Sequence, residues 1–374
     1  MEAFRMTADT PVIAVLGPLP PALTGAAACT GAFVERLRAR GAILQIYPLL
    51  DGSGSLPSRL TSRINSLISR ACGLVKAKPN AVYLSLEGNS GKLFSLPIVL
   101  LCRLLKIPLF IHHHAYSYLM RRDFIVSLVT LFAPKAFHIY QCERMALEYD
   151  RQYGGRPPPK LTLTNAFVVA SPPTRHKYIK TNSINLGFIS GSHPVEKGLI
   201  RAIDVAGQIA NTCEVILHVA GPLPLGIARQ ARLMSKNNGV LMREWGTIGA
   251  DKTAFFNSIE FLLFPSTYIN ETQGIVNLEA MSHSVPVVAV DRCCVSSTIL
   301  PYGGIVFLNP KSFKDDAPLF IIESLRDRSL YDSARRLALK QYQLQLDRSE
   351  NELDSIIGLI FSAAQGNLGG AVFV

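Results

Sequence analysis

Two successive series of short apolar segments, each separated by stretches with helical periodicity, run through most of the 374-residue sequence. The segments are rich in Val, Ile and Leu, which is typical of parallel strands covered by helices on both faces. The first series comprises residues 12–16, 43–47, 81–86, 108–112, 136–140 and 161–164. The second comprises residues 184–190, 214–220, 240–242, 260–264, 285–290 and 304–307. Two such series predict two doubly wound α/β domains.

A polar segment with two prolines, residues 170–175, separates the two series. It predicts a first domain over residues 1–170 and a second over residues 171–350. Residues 352–361 have the spacing of a final amphipathic helix, and residues 351–374 are expected to pack back toward the first domain. Ligands of open α/β sheets bind outside the carboxyl ends of the strands, so the two domains are expected to face each other across a deep cleft.

Positive charge is concentrated in the first half of the chain. Residues 1–170 carry 19 Lys and Arg against 9 Asp and Glu, whereas residues 171–374 carry 19 against 18. This asymmetry predicts an anionic partner for the first half, and a membrane surface, a phosphate-bearing lipid and nucleic acid are the alternatives.

Two segments of the first half resemble interfacial helices. In one, basic residues flank apolar ones: Arg59, Arg63, Arg70, Lys76 and Lys78 beside Leu60, Ile64, Leu67, Ile68 and Leu74. The other comprises residues 96–105 with Arg121 and Arg122, and an ordinary helix packed on the core would explain either pattern. The longest apolar stretch, residues 93–112, contains two charges and two prolines, which excludes a membrane-spanning helix. With no signal peptide recognised, we expect a cytoplasmic protein with peripheral contact to the inner face of the plasma membrane.

The most specific motif follows the strand at residues 260–264. A polar loop leads to Gly274, and a helix is predicted to begin near Ile275. Amide groups at the start of a helix hold anions, and a glycine lets a phosphate approach the backbone closely. Glu271 lies in the loop and Glu279 about one turn inside the helix, where carboxylates can bind sugar and ribose hydroxyls. A helix-capping role for Glu271 and a solvated charge for Glu279 are the alternatives.

A second loop connects strand and helix at residues 186–198 and ends with Lys197. A lysine at this point can neutralise a diphosphate leaving group, although a solvated lysine is common at a helix start.

Three histidines, His112, His113 and His114, end a hydrophobic strand. Adjacent strand positions point to alternating sides, so the three together do not form a metal site, and no metal ion is expected. A strand-end position favours an active-site role, and His114, the residue furthest into the loop, is expected to reach the site. The sequence does not determine which of the three side chains points inward.

The pattern Glu271-x7-Glu279, with Gly274 and the ending Leu-Glu-Ala-Met at residues 278–281, resembles the signature of family-4 retaining glycosyltransferases, whose fold is GT-B. Residues 284–289 resemble the G-x-P-V-V-A strand of that family, with Ser284 in place of its first glycine. The resemblance covers most of residues 12–365 but is specific only in the second domain. It implies a hexosyltransferase-type enzyme that moves a sugar, with retention, from a nucleotide-diphosphate sugar to a glycan or lipid-linked acceptor in polysaccharide biosynthesis.

The resemblance also implies roles for individual residues. Glu271 would contact the donor sugar and Glu279 the ribose, while amides at Gly274, Ile275 and Val276 would contact sugar and pyrophosphate.

Lys197 matches the lysine of the family's G-R-x…K-G loop, in which Ser192 replaces the arginine. Arg243 is a candidate substitute for that arginine, and Gln273 stands where the family usually has Phe. His114 would lie near the reactive carbon of the donor.

Weaker correspondences place Gly25 beside the donor phosphates and Trp245, Gly246 and Thr247 at the nucleotide base. No Asp-x-Asp pair occurs, so we expect neither a metal ion nor another cofactor, and nucleic acid is not an expected partner. An inverting GT-B enzyme, a catalytically inactive GT-B-like scaffold and a basic nucleic-acid- or membrane-binding protein are the alternatives.

Overall fold

The chain folds as two compact units. A computed structural model describes residues 10–20, 24–48, 56–86, 88, 91–154, 160–169, 183–249 and 252–367. Unit 1 is formed by Met1–Val168 and Ser349–Val374, and unit 2 by Val169–Arg348. The segment at residues 170–175, on which the predicted domain boundary rests, lies outside the described residues.

Unit 1 contains a six-stranded parallel sheet with the order β2-β1-β3-β4-β5-β6. Its strands are β1 Val12–Gly17, β2 Ile43–Pro48, β3 Ala81–Leu86, β4 Leu109–His113, β5 Phe137–Tyr140 and β6 Lys160–Thr162. Its helices are α1 Gly25–Ala39, α2 Leu56–Ala77, α3 Lys92–Leu104, α4 Ser117–Met120, α5 Phe124–Phe132 and α6 Glu143–Tyr153, followed by a 3₁₀ turn at Asn165–Val168. The strand order reverses between β1 and β3.

Unit 2 contains a second six-stranded parallel sheet, with the order β12-β11-β10-β7-β8-β9. Its strands are β7 Ile184–Ile189, β8 Val215–Ala220, β9 Leu241–Gly246, β10 Phe261–Phe264, β11 Val287–Val290 and β12 Gly304–Phe307. The helices are α7 Leu199–Ala210, α8 Leu225–Asn237, α9 Thr253–Phe256, α10 Ile275–Ser282, α11 Val295–Ile299 and α12 Pro310–Arg326. The last helix, α13 Arg328–Ala364, begins in unit 2 and continues into unit 1 from Ser349. The order reverses between β7 and β10, and ligands of doubly wound sheets bind at such a switch point.

The predicted pair of doubly wound parallel sheets is confirmed, and each of the twelve predicted strands is present. The largest difference is at β9, which continues to Gly246 rather than ending at residue 242. This strand lies at the edge of its sheet and most of its side chains are exposed, so its polar residues concealed it in a search for apolar runs.

Each unit has its own apolar core. In unit 2, Phe188, Ile203 and Phe313 are among the fully buried side chains between the sheet and its helices. In unit 1 the ring of Phe33 stacks on that of Tyr83 at 4.4 Å. The end of α13 completes the core of unit 1 with buried residues at helical spacing: Leu353, Ile356, Ile357, Ile360 and Ala363. Among the described helices, none is long and apolar enough to cross a membrane.

Candidate functional site

Two loops meet at the switch point of unit 2, one following β7 and the other following β10. Gly198 has φ +100°, and a Cβ atom there would lie 2.4 Å from the carbonyl oxygen of Pro265. The same carbonyl accepts a hydrogen bond from Arg201 at 3.2 Å. The amide of Thr267 donates to the carbonyl of Glu196 at 2.8 Å. The close approach of a glycine and two hydrogen bonds therefore fix the two loops against each other.

This arrangement brings together Lys197 and Glu271, which the sequence singled out separately. The Lys197 Nζ atom lies 3.4 Å from Oε2 of Glu271. The hydroxyl of Ser266 donates to the same oxygen at 3.1 Å. The side chain of Glu271 is 8% exposed and that of Lys197 23%, so the carboxylate is held inside while the ammonium group keeps access to solvent. The pair places a cation and a hydrogen-bond acceptor just before α10.

Gly274 is required at the turn into α10 for two reasons. Its φ of +70° lies in the left-handed region, and a Cβ atom would approach Cζ of Phe264 to 2.5 Å. The helix then begins at Ile275, as the sequence predicted. Ile275 and Val276 are only half-buried, and amides in the first turn of a helix have no intrahelical acceptor. The turn therefore offers an anion N–H groups that have no intrahelical acceptor, together with the positive end of the helix dipole.

Glu279, one turn inside α10, forms an ion pair that the sequence did not indicate. Nζ of Lys252 donates to its two carboxylate oxygens at 2.6 and 2.7 Å. The two side chains are 24% and 20% exposed, so the pair is only partly solvated. Lys252 precedes the four-residue helix α9, and no local pattern distinguishes it from a surface lysine. It supplies a second cation beside α10.

The remaining predicted donor residue of unit 2, Ser192, has an exposed side chain. Its carbonyl oxygen accepts a hydrogen bond from the hydroxyl of Ser190 at 2.8 Å, which closes the turn after β7. Ser192 therefore supplies no positive charge where the family motif has an arginine.

The predicted base-binding residues lie at the end of β9. Nε1 of Trp245 donates to Nδ1 of His218 at 3.1 Å, and Arg243 lies over the indole ring at 5.0 Å from its centroid. The backbone at Gly246 has φ +63°, with open space around the position of a Cβ atom, and Thr247 is exposed. The hydrogen bond to His218 thus holds the indole of Trp245 in place, and the guanidinium group of Arg243 contacts the face of that indole ring.

In unit 1, Gly25 is the first residue of α1 and is exposed. Thr24 caps the helix, because its hydroxyl accepts a hydrogen bond from the amide of Ala27 at 3.1 Å. The first turn of α1 is therefore fixed after β1, at the edge of the sheet where its strand order reverses.

The three histidines at the end of β4 divide between two environments. His113 is fully buried, with Nδ1 2.9 Å from the hydroxyl of Tyr118 and Nε2 2.8 Å from Nδ1 of His138. His112 and His114 lie together on the other side, with ring centroids 4.0 Å apart. His112 is fully buried and His114 half-buried, and burial lowers the pKa of His114 to about 3. Of the three, His114 is therefore the one partly open to solvent, and it is neutral at pH 7.

Comparison with known proteins gives one family match, which lies in unit 2. Residues 183–316, which contain Lys197, Lys252, Glu271 and Glu279, match the family model described as Glycosyl transferases group 1. No match to a curated protein was found.

Three solved structures are similar to most of the chain. A glycosyltransferase from Rickettsia africae has 10% identity and a TM-score of 0.72, with 96% of this chain and 100% of that one covered. HepE from Anabaena, in complex with UDP, has 15% identity and a TM-score of 0.65 over 94% and 99% of the two chains. The lipopolysaccharide outer core galactosyltransferase WaaB has 13% identity and a TM-score of 0.64 over 92% and 99%. Residues 183–316 of unit 2 are thus similar to the Glycosyl transferases group 1 family, and the two sheets have the GT-B fold of solved glycosyltransferases.

Proposed function

We propose that this chain is a retaining, family-4-type hexosyltransferase, which transfers a sugar from a nucleotide-diphosphate sugar to a lipid-linked or surface-polysaccharide acceptor. The family match over residues 183–316 supports sugar transfer. The observation that carries the proposal is the Lys197–Glu271 pair, fixed at the switch point of unit 2 immediately before the accessible amides of α10.

In the proposed reaction, the acceptor hydroxyl oxygen bonds to the anomeric carbon as the bond between that carbon and the diphosphate breaks, and the acceptor's proton passes to the departing diphosphate, on which negative charge grows. The amides of Ile275 and Val276 and the ammonium group of Lys197 would stabilise that charge electrostatically. Glu271, oriented by Ser266, would accept hydrogen bonds from hydroxyls of the transferred sugar. The diphosphate would thus be met by fixed dipoles and an amine, so we propose that the donor is bound without a divalent metal ion.

The Lys252–Glu279 pair would bind the next part of the donor. The two carboxylate oxygens of Glu279 accept hydrogen bonds from Lys252. The same oxygens would also accept hydrogen bonds from the two hydroxyls of the ribose. The family has an arginine at the position of Ser192, and Lys252 would supply the positive charge that this arginine provides in the family. The donor would therefore contact two lysines, Lys197 beside Glu271 and Lys252 beside Glu279.

A donor assay with single substitutions tests this assignment. HepE has been solved with UDP-glucose, so the panel begins with UDP-glucose and extends to UDP-galactose, UDP-N-acetylglucosamine, GDP-sugars and ADP-sugars. Turnover or hydrolysis of the preferred donor should fall by about 10²–10³-fold in Lys197→Met, which is typical for loss of one transition-state donor. Lys236→Met, at an exposed lysine of α8, is the matched control and should keep full activity. Equal rates in the two variants would contradict the proposal.

The stereochemistry requires a separate measurement. NMR of the product should show that the anomeric configuration of the donor is retained. An inverted product would assign the same site to an inverting GT-B enzyme and would leave donor binding at α10 intact.

A surface of unit 1 supports the proposed lipid-linked acceptor. Helix α3 packs against α2 and α5, and all three expose apolar side chains. The exposed apolar side chains of these helices, which we call the apolar surface, are Ile64, Ile68, Val75, Leu93, Leu104, Phe124 and Leu131. Leu104 is 78% exposed and Phe124 73%. Exposed basic residues Lys106 and Arg121 lie close to it in sequence, a composition that suits an anionic bilayer.

The predicted interfacial pattern of α2 was wrong in part. Arg70 is buried and donates to the carbonyl of Pro48 at 2.7 Å, and Leu74 is fully buried. Both therefore face the interior rather than a membrane. Arg103 of the second pattern also has a structural role, since it donates to the carbonyls of Leu131 and Phe132 at the end of α5. The side chains of Arg59 and Leu60 lie outside the described residues.

Vesicle sedimentation tests the apolar surface. The protein should sediment with phosphatidylglycerol-containing vesicles more than with phosphatidylcholine alone, and added salt should weaken the interaction. The double substitution Leu104→Ser, Phe124→Ser should reduce sedimentation, whereas Leu308→Ser, at an 84% exposed leucine of unit 2, should not. Binding to mixed-sequence DNA in place of vesicles would favour the nucleic-acid alternative.

A further inference from the structure

A thiol and two imidazoles converge in unit 1 from distant parts of the sequence. Cys29 comes from α1, His112 from β4 and His114 from the residue that follows β4. One possible ligand atom from each of the three lies within 4.8 Å of the other two. Cys29 and His112 are fully buried, and Cys29 is a free thiol. The cluster therefore combines one sulfur and two nitrogen ligands in a shielded position.

The hydrogen bonds of the two imidazoles leave one nitrogen of each ring available. Nδ1 of His112 lies 2.7 Å from the hydroxyl of Tyr83, and Nδ1 of His114 lies 3.3 Å from the amide of Gln141. Both Nε2 atoms are buried and have no hydrogen-bond partner within the part of the chain that the structure describes. A buried polar atom without a partner is costly, and two such atoms on rings that converge with a buried thiol point to a missing ligand.

We propose that Cys29, His112 and His114 bind one zinc ion. A thiolate with two imidazoles is a ligand set suited to zinc, and the thiol proton is released to solvent as the metal binds. With Zn–S and Zn–N distances of about 2.3 and 2.0 Å, ligand atoms of a tetrahedral site lie roughly 3.3–3.5 Å apart. The possible ligand atoms here lie within 4.8 Å of one another, so the widest separation would close by about 1.3–1.5 Å as the metal binds. A water molecule would complete the four-coordinate shell.

Tyr83 and Gln141 are suited to orient the two imidazoles. With the metal on Nε2, each Nδ1 carries a hydrogen and needs an acceptor. The hydroxyl oxygen of Tyr83 provides one for His112. For His114, a flip of the Gln141 amide would direct Oε1 to Nδ1, and that oxygen has no partner among the described residues in the present orientation.

None of the three zinc ligands comes from the lysine–glutamate pairs of unit 2, so the metal titration and the donor assay test different residues, and His114 is the residue that the zinc site shares with the proposed transfer reaction. The site gives His114 a second candidate role, that of a zinc ligand, as an alternative to the predicted role near the reactive carbon of the donor. The sequence did not reveal the site, because Cys29 precedes His112 by 83 positions and the three ligands form no known spacing motif. Alternation of side chains at the end of β4 separates His113 from His112 and His114 but does not bring Cys29 to them.

Metal titration of the full-length apo protein tests the inference without an activity measurement. Co²⁺ should bind with a stoichiometry of one per chain and produce a thiolate-to-cobalt charge-transfer band, and Zn²⁺ should displace it. The band should be lost in Cys29→Ser but retained in Cys102→Ser, a control at another buried free cysteine of unit 1. Zn²⁺ binding in weak buffer should release about one proton per metal near neutral pH.

Tyr83→Phe is the milder variant in case Cys29→Ser does not fold, since it keeps the ring that stacks on Phe33. It should weaken Zn²⁺ binding by 10–100-fold, as expected for loss of a hydrogen bond that orients a ligand. The absence of stoichiometric Co²⁺ binding, or a charge-transfer band that survives in Cys29→Ser, would overturn the proposal. Neither result would affect the donor assay.

Discussion

The turn at Gly274 offers a quantitative test of how the site is built. In Gly274→Ala, the new Cβ atom has to adopt φ +70°, which costs an L-residue about 1–2 kcal/mol. It also has to displace the Phe264 ring, because the Cβ–Cζ separation would be 2.5 Å. Overpacking of this kind costs about 1–3 kcal/mol. We therefore expect unit 2 to be destabilised by roughly 2–5 kcal/mol.

Urea unfolding followed by tryptophan fluorescence measures this effect selectively. The chain has one tryptophan, and it lies in β9 of unit 2. Gly239→Ala is the matched control, because Gly239 has φ +68° but its Cβ atom would meet only Ala210 at 3.9 Å. The control should lose only the backbone contribution of about 1–2 kcal/mol. Equal losses in the two variants would refute the claim that the phenyl ring and the glycine are tightly packed.

Three further predictions concern charge. Lys252→Met should weaken binding of the preferred nucleotide sugar about ten-fold in calorimetric titration, because a partly buried charged hydrogen bond is lost. An unchanged Kd would limit the Lys252–Glu279 pair to a structural role. Burial raises the pKa of Glu260 from 4.5 to about 7, so the folded state keeps a proton that the unfolded state releases. Its contribution to stability should fall by about 3 kcal/mol as pH rises from 4.5 through 7, and Glu260→Gln should remove that slope in urea titrations. Burial lowers the pKa of His138 to about 3. The contribution of the neutral imidazole to stability is therefore complete above pH 6.5 and is lost as pH falls toward 3. Circular dichroism should show an acid transition that is weaker in His138→Gln.

Much of the architecture could be predicted from local pattern. Apolar runs such as residues 81–86 reproduce the bounds of β3, because strands buried on both faces have few polar positions. The start of α10 at Ile275 could be read from Gly274 and the helical spacing that follows it. These features are encoded within a few residues, so they require no knowledge of tertiary contacts.

The parts of the site that escaped prediction depend on contacts between distant segments. The Lys252–Glu279 pair joins residues 27 positions apart, and the cluster of Cys29 with His112 joins α1 to β4. Arg70 illustrates the same limit, since its apolar neighbours suggested a membrane-facing side whereas its guanidinium group is needed at the end of β2. Charge and periodicity identify a candidate face of a helix, but the packing decides which side is buried.

The central claim is that a nucleoside diphosphate binds at the first turn of α10. A crystal structure of the protein with UDP would test it most directly. We predict phosphate oxygens 2.7–3.2 Å from the amide nitrogen of Ile275 or Val276, with Nζ of Lys197 turned toward them. A diphosphate bound away from this turn, with Lys197 still paired only to Glu271, would contradict the claim.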